Sequence, residues 1–457
     1  MLVSFSVSNF RSFAAEQVFS LVASKRLGST HPGHMYPIPG SDEKVLRTGV
    51  IYGANGAGKS NLLKALGYAR QVALVAREKT RGTGRTPFRF ATMREQPSTF
   101  DLQFMTHGKL YRFGFSVDDE RIVEEWLTEE QSGLIYERST DSGSKVEIDA
   151  PGLKNASAKL AALVTVGGPH NQSFLATVRA TLEPQDFGAT LTEVIEWLYS
   201  GLTLIGPRWT SSTLEERLAS DPPFCQFAGD FLRASSTGVD HLRVDKTELS
   251  QDELDALGLF PPTISNLLSP DRQSATVFWP EGDLTIERSA DRDRVYRVAI
   301  RAVHKHETHD GADLDLSEES DGTQRLLAFL PALYRMKVDS AVFFIDEIDR
   351  SMHPMLVHKF IQYFLSTRTA APCQVIVTTH ETHLLDLELL RRDEIWFAEK
   401  DGTGASHLYS LTDFQVRKDL RVENGYLQGR FGAVPFLGDI DRLVERGAER
   451  QHVPDAS

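Results

Sequence analysis

The chain has only two cysteines, Cys225 and Cys373, among its 457 residues. Two thiols are too few for a disulfide framework or a cysteine-based zinc site, and their scarcity suits a reducing compartment. The sequence also lacks an apolar run long enough to span a bilayer. Its start, MLVSFSVSNFRSF, has neither the charged head nor the apolar core of a signal peptide. We therefore expect a cytoplasmic protein with no membrane partner.

An excess of basic charge is missing as well. Lys and Arg number 50 against 63 Asp and Glu, so the net charge is -13 and the surface as a whole does not indicate nucleic-acid binding. A local exception is the loop REKTRGTGRTPFR, with Arg77, Lys79, Arg81, Arg85 and Arg89. A solvated loop is the commoner explanation for such a run, and direct DNA binding stays open as an alternative.

The length predicts two or three lobes, and patterning suggests where they divide. Alternating segments between residues 88 and 150 predict an antiparallel meander, whereas 155–270 has helical spacing interrupted by prolines. We predict three parts. They are an N-terminal part of the head with an antiparallel β lobe at 1–175, a helical insertion at 176–275, and a C-terminal part of the head at 276–457.

The strongest motif is IYGANGAGKSN at 51–61, which fits the phosphate-binding pattern GxxxxGK[ST] between a strand-like and a helix-like stretch. Glycines let several N–H groups converge on one phosphate, and a helix starting near Lys59 adds its positive dipole end. Lys59 would reach the β- and γ-phosphates of ATP, and Ser60 would ligate Mg²⁺. The predicted nucleotide-binding residues are Gly53, Ala54, Asn55, Gly56, Ala57, Gly58, Lys59, Ser60 and Asn61.

Two apolar segments near the C-terminus each end in polar residues. AVFFIDE at 341–347 predicts a buried parallel strand that ends in Asp346 and Glu347. Asp346 would hold Mg²⁺ through its water shell, and Glu347 would polarise the attacking water. QVIVTTH at 374–380 predicts a second buried strand, whose His380 would contact the γ-phosphate. A purely structural histidine is the alternative for His380.

The segment LSEESDGTQRLLAFLPALYRM at 316–336 places Ser320, Gly322 and Thr323 at the start of a predicted helix. Such a helix start can bind an anion, with Ser320 as a hydroxyl donor. An ordinary N-cap explains Ser320 equally well, so the residues alone leave both interpretations open.

In their order along the chain, these segments resemble the small ABC-type ATPases of bacteria, the "ATP/GTP-binding, AAA family" proteins related to OLD and SMC-like repair ATPases. The resemblance rests on NFRSF, GANGAGKSN, EESDGTQRLL, FFIDEIDRSMHP, TTHETHLLD, IWFAEKDGTGASHLYSL and GYLQGRFGAVPF. It spans nearly the whole chain and is weakest in the helical middle.

The resemblance implies an α/β fold, namely an ABC-type P-loop ATPase head with a mixed sheet, an antiparallel β lobe and a helical insertion. It implies ATP and Mg²⁺ as cofactors. It also implies a homo-oligomer, in which Ser320, Gly322 and Thr323 of one copy contact ATP held by the loop of another. Gln172 lies where the family has its Q-loop glutamine. Asp321 departs from the small residue of the transporter-type signature.

No second catalytic site stands out in the sequence. The histidines His304, His306 and His309 and the acidic pair Asp439 and Asp441 have too few clustered ligands to favour a metal site. The leading hypothesis is therefore the sensor or regulatory subunit of a two-component anti-phage defence system, which controls a separately encoded effector nuclease of the TOPRIM or RloB type. The chain resembles the ATPases of PARIS and of AbiL/RloA-like abortive infection systems, and the proposed role rests on this family analogy alone.

Two alternative functions stay open. One is a DNA-repair or chromosome-maintenance ATPase that binds DNA directly, and the other is a nucleotide-dependent scaffold with little turnover.

Overall fold

The computed structural model describes residues 1–28, 30–78, 80–90, 92–154, 156–207, 214–257, 259–268, 274–277, 284–289, 294–305, 311–335, 340–350, 352–367, 372–415 and 422–433. Lys79, His306, His309, Asp439 and Asp441 lie outside this range. The chain divides into two compact units. The discontinuous unit comprises Leu2–Tyr199 and Ile376–Ser457, and the central unit comprises Ser200–Val375 with Met1. The three-part division stays a prediction.

The described strands are β1 Leu2–Ser8, β2 Gln17–Ser20, β3 Met35–Pro37, β4 Lys44–Leu46, β5 Thr48–Gly53, β6 Ser98–Thr106, β7 Lys109–Val117, β8 Ile122–Glu129, β9 Gly133–Thr140, β10 Val146–Asp149, β11 Leu202–Ile205, β12 Val239–Glu248, β13 Ser274–Val277, β14 Leu284–Arg288, β15 Val295–His304, β16 Ala312–Asp315, β17 Val342–Ile345, β18 Gln374–Thr378, β19 Ile395–Lys400 and β20 Ser406–Ser410. The described α-helices are α1 Lys59–Leu74, α2 Ala158–Val166, α3 Phe174–Thr181, α4 Ala189–Glu196, α5 Leu214–Ser220, α6 Pro222–Ala234, α7 Gln251–Ala256, α8 Pro261–Leu267, α9 Asp321–Arg335, α10 Pro354–Ser366 and α11 Val422–Leu427. None of the helices described here is long and apolar enough to cross a bilayer.

The discontinuous unit contains a seven-stranded sheet in the order β10-β9-β8-β7-β6-β1-β2. Its neighbouring strands are antiparallel throughout, which confirms the meander predicted between residues 88 and 150. Buried and partly exposed residues alternate along β1 and β6. Because successive side chains of a strand point to opposite faces, this alternation gives the sheet one face that is packed on the core.

In a second sheet, β5 lies between β18 and β19. β5 is parallel to β19, and β19 is antiparallel to β20, so the sheet is mixed as predicted. All six residues of β5 are buried, as expected for a strand that is covered on both faces. Its C-terminal end at Gly53 leads directly into the phosphate-binding motif.

The helix α1, which follows that motif, is held by aromatic packing. Tyr68 lies 5.3 Å from Phe10, 5.2 Å from Phe100 and 6.4 Å from Phe115, measured between ring centroids. Its hydroxyl donates a hydrogen bond to Thr83 O at 3.0 Å. Burial raises the pKa of Tyr68 to about 12, so the hydroxyl stays protonated and continues to donate. The β lobe therefore fixes the orientation of α1.

The central unit combines the parallel pair β11 and β17 with an antiparallel sheet in the order β12-β15-β14-β13, to which β16 adds by pairing with β15. The stretch predicted to be helical contains α2 to α8 but also the strands β11 and β12. β12 was missed because most of its residues are partly or fully exposed and charged side chains dilute its alternation. The residues of β15 that pair with β12 lie 48 to 65 positions away in the chain, and strand formation depends strongly on such pairing.

Candidate functional site

The loop between β5 and α1 has the backbone of a phosphate cradle. Gly56 and Gly58 adopt φ angles of 78° and 115°, which glycine tolerates best. A Cβ on Gly53 would lie 2.4 Å from Ala398 O, and one on Gly58 would lie 2.4 Å from Ser406 Oγ. Because these distances leave no room for a side chain, only glycine fits at either position. The loop ends at Lys59, where α1 begins as predicted. Its glycines and the N-terminus of α1 suit the binding of a triphosphate.

Lys59 and His380 meet at this loop. The Lys59 side chain is buried, and its ammonium donates hydrogen bonds to Gly53 O at 2.7 Å and Ala54 O at 3.2 Å. It also lies 3.1 Å from Nε2 of His380. Because an ammonium group can only donate, Nε2 of His380 is the acceptor and the ring proton lies on Nδ1. The fold thus brings together two predicted site residues that are 321 positions apart in the chain.

Two serines that the sequence interpretation did not assign also contact the loop. Ser12 Oγ accepts a hydrogen bond from Asn61 Nδ2 at 2.8 Å, and Ser12 O accepts one from Ser406 N at 2.7 Å. Ser406 is buried, and among the described residues its hydroxyl has no hydrogen-bond partner. Ser12 belongs to NFRSF, one of the segments that carry the family resemblance. Ser406 belongs to another of them, IWFAEKDGTGASHLYSL, although the resemblance assigned no role to either serine.

In the central unit, β17 ends in two acids as predicted. All four residues of β17 are buried, and the strand is parallel to β11. Asp346 is fully buried, and its N–H donates to Ile205 O at 2.8 Å. Glu347 has a φ of 51°, which is uncommon for a residue with a side chain and is often found at functional sites. Its carboxylate lies 3.6 Å from the Arg350 guanidinium.

The helix α9 begins directly after Ser320, where the sequence predicts a helix start. Ser320 caps the helix, because its Oγ accepts a hydrogen bond from Thr323 N at 3.2 Å. Ser320 and Asp321 are exposed, Gly322 is half-buried and Thr323 is buried. The N-cap role is therefore confirmed. The contact of these residues with ATP stays a prediction, and the exposure of Ser320 leaves it accessible to a second molecule.

Within the same unit, Arg325 ties the first turn of α9 to the acidic strand end. Its guanidinium donates to Gly206 O at 3.0 Å and to Asp346 O at 3.2 Å, and it packs 4.5 Å from the centroid of the Phe329 ring. Burial lowers the pKa of Arg325 from its usual value. The turn that carries Ser320 and the turn that carries Asp346 are thereby joined through one buried side chain.

Gln172, the candidate Q-loop residue, is buried with both ends of its side chain engaged. Its Oε1 accepts from Arg77 N at 2.8 Å, and its Nε2 donates to Thr177 Oγ1 at 3.0 Å. The next residue, Ser173, donates to Val72 O at 2.7 Å. These bonds hold the C-terminal end of α1. The contact of Gln172 with a nucleotide stays a prediction.

The basic loop at 77–89 is less available to DNA than its sequence suggests. Arg85 is buried and donates to Asp119 Oδ1 at 2.7 Å and to Arg94 O at 2.9 Å. Arg81 is paired with Glu78, and Arg89 is exposed.

The histidine run does not form a metal site among the described residues. Nε2 of His304 lies 2.6 Å from Oε1 of Glu319. No group of three or more His, Cys, Asp or Glu within the described residues could hold a metal ion.

Comparison with known proteins identifies the family of this chain. The family model described as "AAA domain, putative AbiEii toxin, Type IV TA system" matches residues 50–386. One similar solved structure is an SMC head domain from Thermotoga maritima, with 13% identity, a TM-score of 0.36 and an alignment that covers 91% of this chain and 99% of that chain. Another is an SmcHead bound to the C-winged helix domain of ScpA, with 13% identity, a TM-score of 0.35 and coverage of 90% and 97%. No curated protein matches the chain.

The family match spans well over half of the chain and begins within β5, just before the phosphate-binding loop. The mixed sheet, the antiparallel β lobe and the helices agree with the predicted head. The protein therefore belongs to this AAA-domain family, and its fold is of the α/β class.

Proposed function

We propose that the protein hydrolyses ATP to ADP and phosphate, and that two copies close on the nucleotide before hydrolysis separates them. The observation that supports this most directly is the glycine cradle around the buried Lys59 ammonium, with His380 at 3.1 Å. The ammonium donates to two carbonyls of the loop itself, so it is held where phosphate oxygens would bind. A bound triphosphate would bring negative charge to this ammonium.

In the proposed reaction, the residues 53–61 bind the phosphates and Lys59 transfers its hydrogen bonds from Gly53 O and Ala54 O to the β- and γ-phosphates. Glu347 orients the attacking water and accepts its proton. His380 contacts the γ-phosphate. Mg²⁺ would neutralise charge on the phosphate oxygens, with Ser60 and Asp346 as its proposed ligands. Gln172 remains a candidate for the Q-loop role.

The proposed contact with the second copy uses Ser320, Gly322 and Thr323. Exposure of Ser320 and partial exposure of Gly322 support this assignment, because a residue that reaches into another molecule must be accessible. The helix start at α9 adds a favourable dipole for a phosphate.

We expect Ser320→Arg to prevent ATP-dependent dimerisation while leaving ATP binding by the single copy within about twofold. The larger side chain would occupy the space that the second copy needs, whereas Ser320 itself is exposed and tolerates a change in the free protein. Light scattering with ATP, in a variant that also carries Glu347→Gln to block hydrolysis, measures the effect.

Ser250→Arg is the matched control, because Ser250 is also an exposed N-cap in the central unit and carries a complete capping box. Each substitution removes a helix cap at a cost of about 1 kcal/mol. Dimers that persist in the Ser320→Arg protein would contradict the proposed arrangement.

We further propose that the ATPase is the sensor or regulatory subunit of a two-component anti-phage defence system, and that a separately encoded nuclease of the TOPRIM or RloB type is its effector. The description of the matching family, which names a toxin of a type IV toxin–antitoxin system, supports a role of this kind. Closing and opening of paired heads would provide the signal that restrains or releases the effector.

We expect the tagged protein, expressed from its native operon, to co-purify with the product of a neighbouring gene. Loss of either gene should raise phage plaque counts by at least about tenfold, since a defence module requires both its sensor and its effector. The Lys59→Ala operon serves as the control that keeps the chain but removes nucleotide binding. Unchanged plaque counts without a co-purifying protein would exclude the defence role and leave the ATPase proposal standing.

A further inference from the structure

The backbone just before His380 is fixed by the strand that leads into the phosphate-binding loop. Thr379 N donates a hydrogen bond to Ile51 O of β5 at 3.1 Å, and Thr379 Oγ1 accepts one from Glu381 N at 2.9 Å. Thr379 is buried, whereas His380 is exposed. An exposed ring is held less by packing than a buried one, so the position of the His380 ring depends on the backbone that carries it.

The backbone just after His380 is held by a different element. Thr382 Oγ1 donates a hydrogen bond to Glu423 Oε1 at 2.9 Å, although the two residues are 41 positions apart in the chain. Thr382 begins the 3₁₀-helical turn Thr382–Leu384, and Glu423 lies in the first turn of α11. A hydrogen bond to a carboxylate is stronger than one between neutral groups. The helix α11 therefore binds the chain two residues after the histidine.

The helix α11 is itself packed on the sheet that carries the phosphate-binding loop. The Tyr426 ring of α11 lies 5.8 Å from Tyr52 of β5 and stacks on Phe397 of β19, with 5.7 Å between ring centroids. After the helix, Phe431 stacks on the same Phe397 ring at 5.8 Å. The Tyr426 hydroxyl donates to Ala433 O at 3.2 Å. Because all four rings are buried, this packing fixes α11 relative to β5.

We propose that Glu423 is a positioning residue for His380, and that α11 thereby controls the contact of this histidine with the γ-phosphate. This inference rests on the proposed ATPase function and adds a control element to it. All the residues involved belong to the discontinuous unit. With the bond from Thr382 in place, Nε2 of His380 lies 3.1 Å from the Lys59 ammonium. Without it, the histidine is held on one side only, and a misplacement of about 1 Å is enough to lower a rate by as much as about 100-fold.

We expect Thr382→Val to lower kcat for ATP hydrolysis about tenfold and to leave KM within about twofold, because the loop still binds ATP while His380 is misplaced. Valine has nearly the shape of threonine but lacks the donor. Thr382→Ser keeps the hydroxyl and should retain the normal kcat. Phosphate release by the full-length protein over a range of ATP concentrations gives both constants. Thr165→Val, which replaces an exposed threonine on α2, is the matched control and should hydrolyse ATP normally.

Substitutions of Glu423 test the acceptor of the same bond. Glu423→Gln keeps an oxygen that can accept from Thr382 and should retain the normal kcat. Glu423→Met has a similar length without that acceptor, so its kcat should match that of Thr382→Val. The double variant Thr382→Val with Glu423→Met should lose no more activity than either single variant, because both substitutions remove one interaction.

A histidine variant separates positioning from a general structural role. His380→Ala should lower kcat at least as much as Thr382→Val does. Adding Thr382→Val to His380→Ala should then change kcat by less than about twofold, since no imidazole remains to be placed. A normal kcat in either single variant, or a further loss of about tenfold in this double variant, would overturn the positioning role alone. Absence of ATP hydrolysis by the unmodified protein would instead overturn the proposed ATPase function.

Discussion

Lys59→Ala is expected to lower ATP hydrolysis at least about 100-fold and to weaken ATP binding below detection at micromolar protein. Electrostatic stabilisation of transferring phosphate by one placed cation is worth effects of this size. The ammonium is buried and already directed at the loop by Gly53 O, Ala54 O and His380. Alanine removes the charge and leaves these three acceptors without their donor. Phosphate release and equilibrium titration with a fluorescent ATP analogue measure the two effects.

Lys64→Ala is the appropriate comparison, because Lys64 lies on the same helix, α1, and is exposed. It changes the net charge by the same amount, so it controls for a general loss of attraction between protein and nucleotide. Its hydrolysis should stay within about twofold of the unmodified rate. If Lys59→Ala hydrolysed ATP at the same rate as Lys64→Ala, the glycine cradle would not be the catalytic site.

Glu347→Gln should reduce hydrolysis by about 100- to 10,000-fold and preserve ATP binding, since removal of a general base has effects of this magnitude. Glutamine keeps the size of the side chain and can still orient a water, but it cannot accept the proton. Its backbone has no greater difficulty with the φ of 51° at this position. ATP should therefore accumulate uncleaved, and the protein should shift to dimers or larger assemblies in light scattering with ATP.

Asp252→Asn is the control for this substitution, because Asp252 is an exposed acid in the first turn of α7 and the change likewise converts a carboxylate into an amide. It should hydrolyse ATP at the normal rate and form no trapped assembly. Unaltered hydrolysis in Glu347→Gln would exclude the role of Glu347 as base and favour a scaffold with little turnover. Slow hydrolysis without any assembly would preserve the enzyme and contradict the closing of two copies.

Predictions from the sequence were confirmed where a feature depends on residues that are close together in the chain. Apolar runs predicted that β17 and β18 are buried strands, and GxxxxGK[ST] predicted the start of α1 at Lys59. The cap at Ser320 could be predicted because an N-cap involves only residues three positions apart. In each case the local pattern and the observed element agree, since the interactions that define them are local.

Features that depend on distant partners were missed or stay open. β12 forms by pairing with β15, and the chain around β12 alone does not reveal that pairing. Arg85 looked like part of a basic patch, but Asp119 and the carbonyls of Arg94 and Gln96 bury and bind it. Gln172 lies where the resemblance places it, yet its side chain binds Arg77, after the end of α1, and Thr177 of α3.

The amino-acid sequence by itself determined the glycine-rich loop between β5 and α1, the acids that follow β17, the cap of α9 and the α/β class of the fold, because glycine conformation, strand burial and helix capping act over a few residues. Only the tertiary structure decided that Lys59 meets His380 and that Ser12 and Ser406 pack against the loop. These contacts join segments up to several hundred positions apart. Their geometry is set by how whole strands pair and pack, which no local pattern encodes.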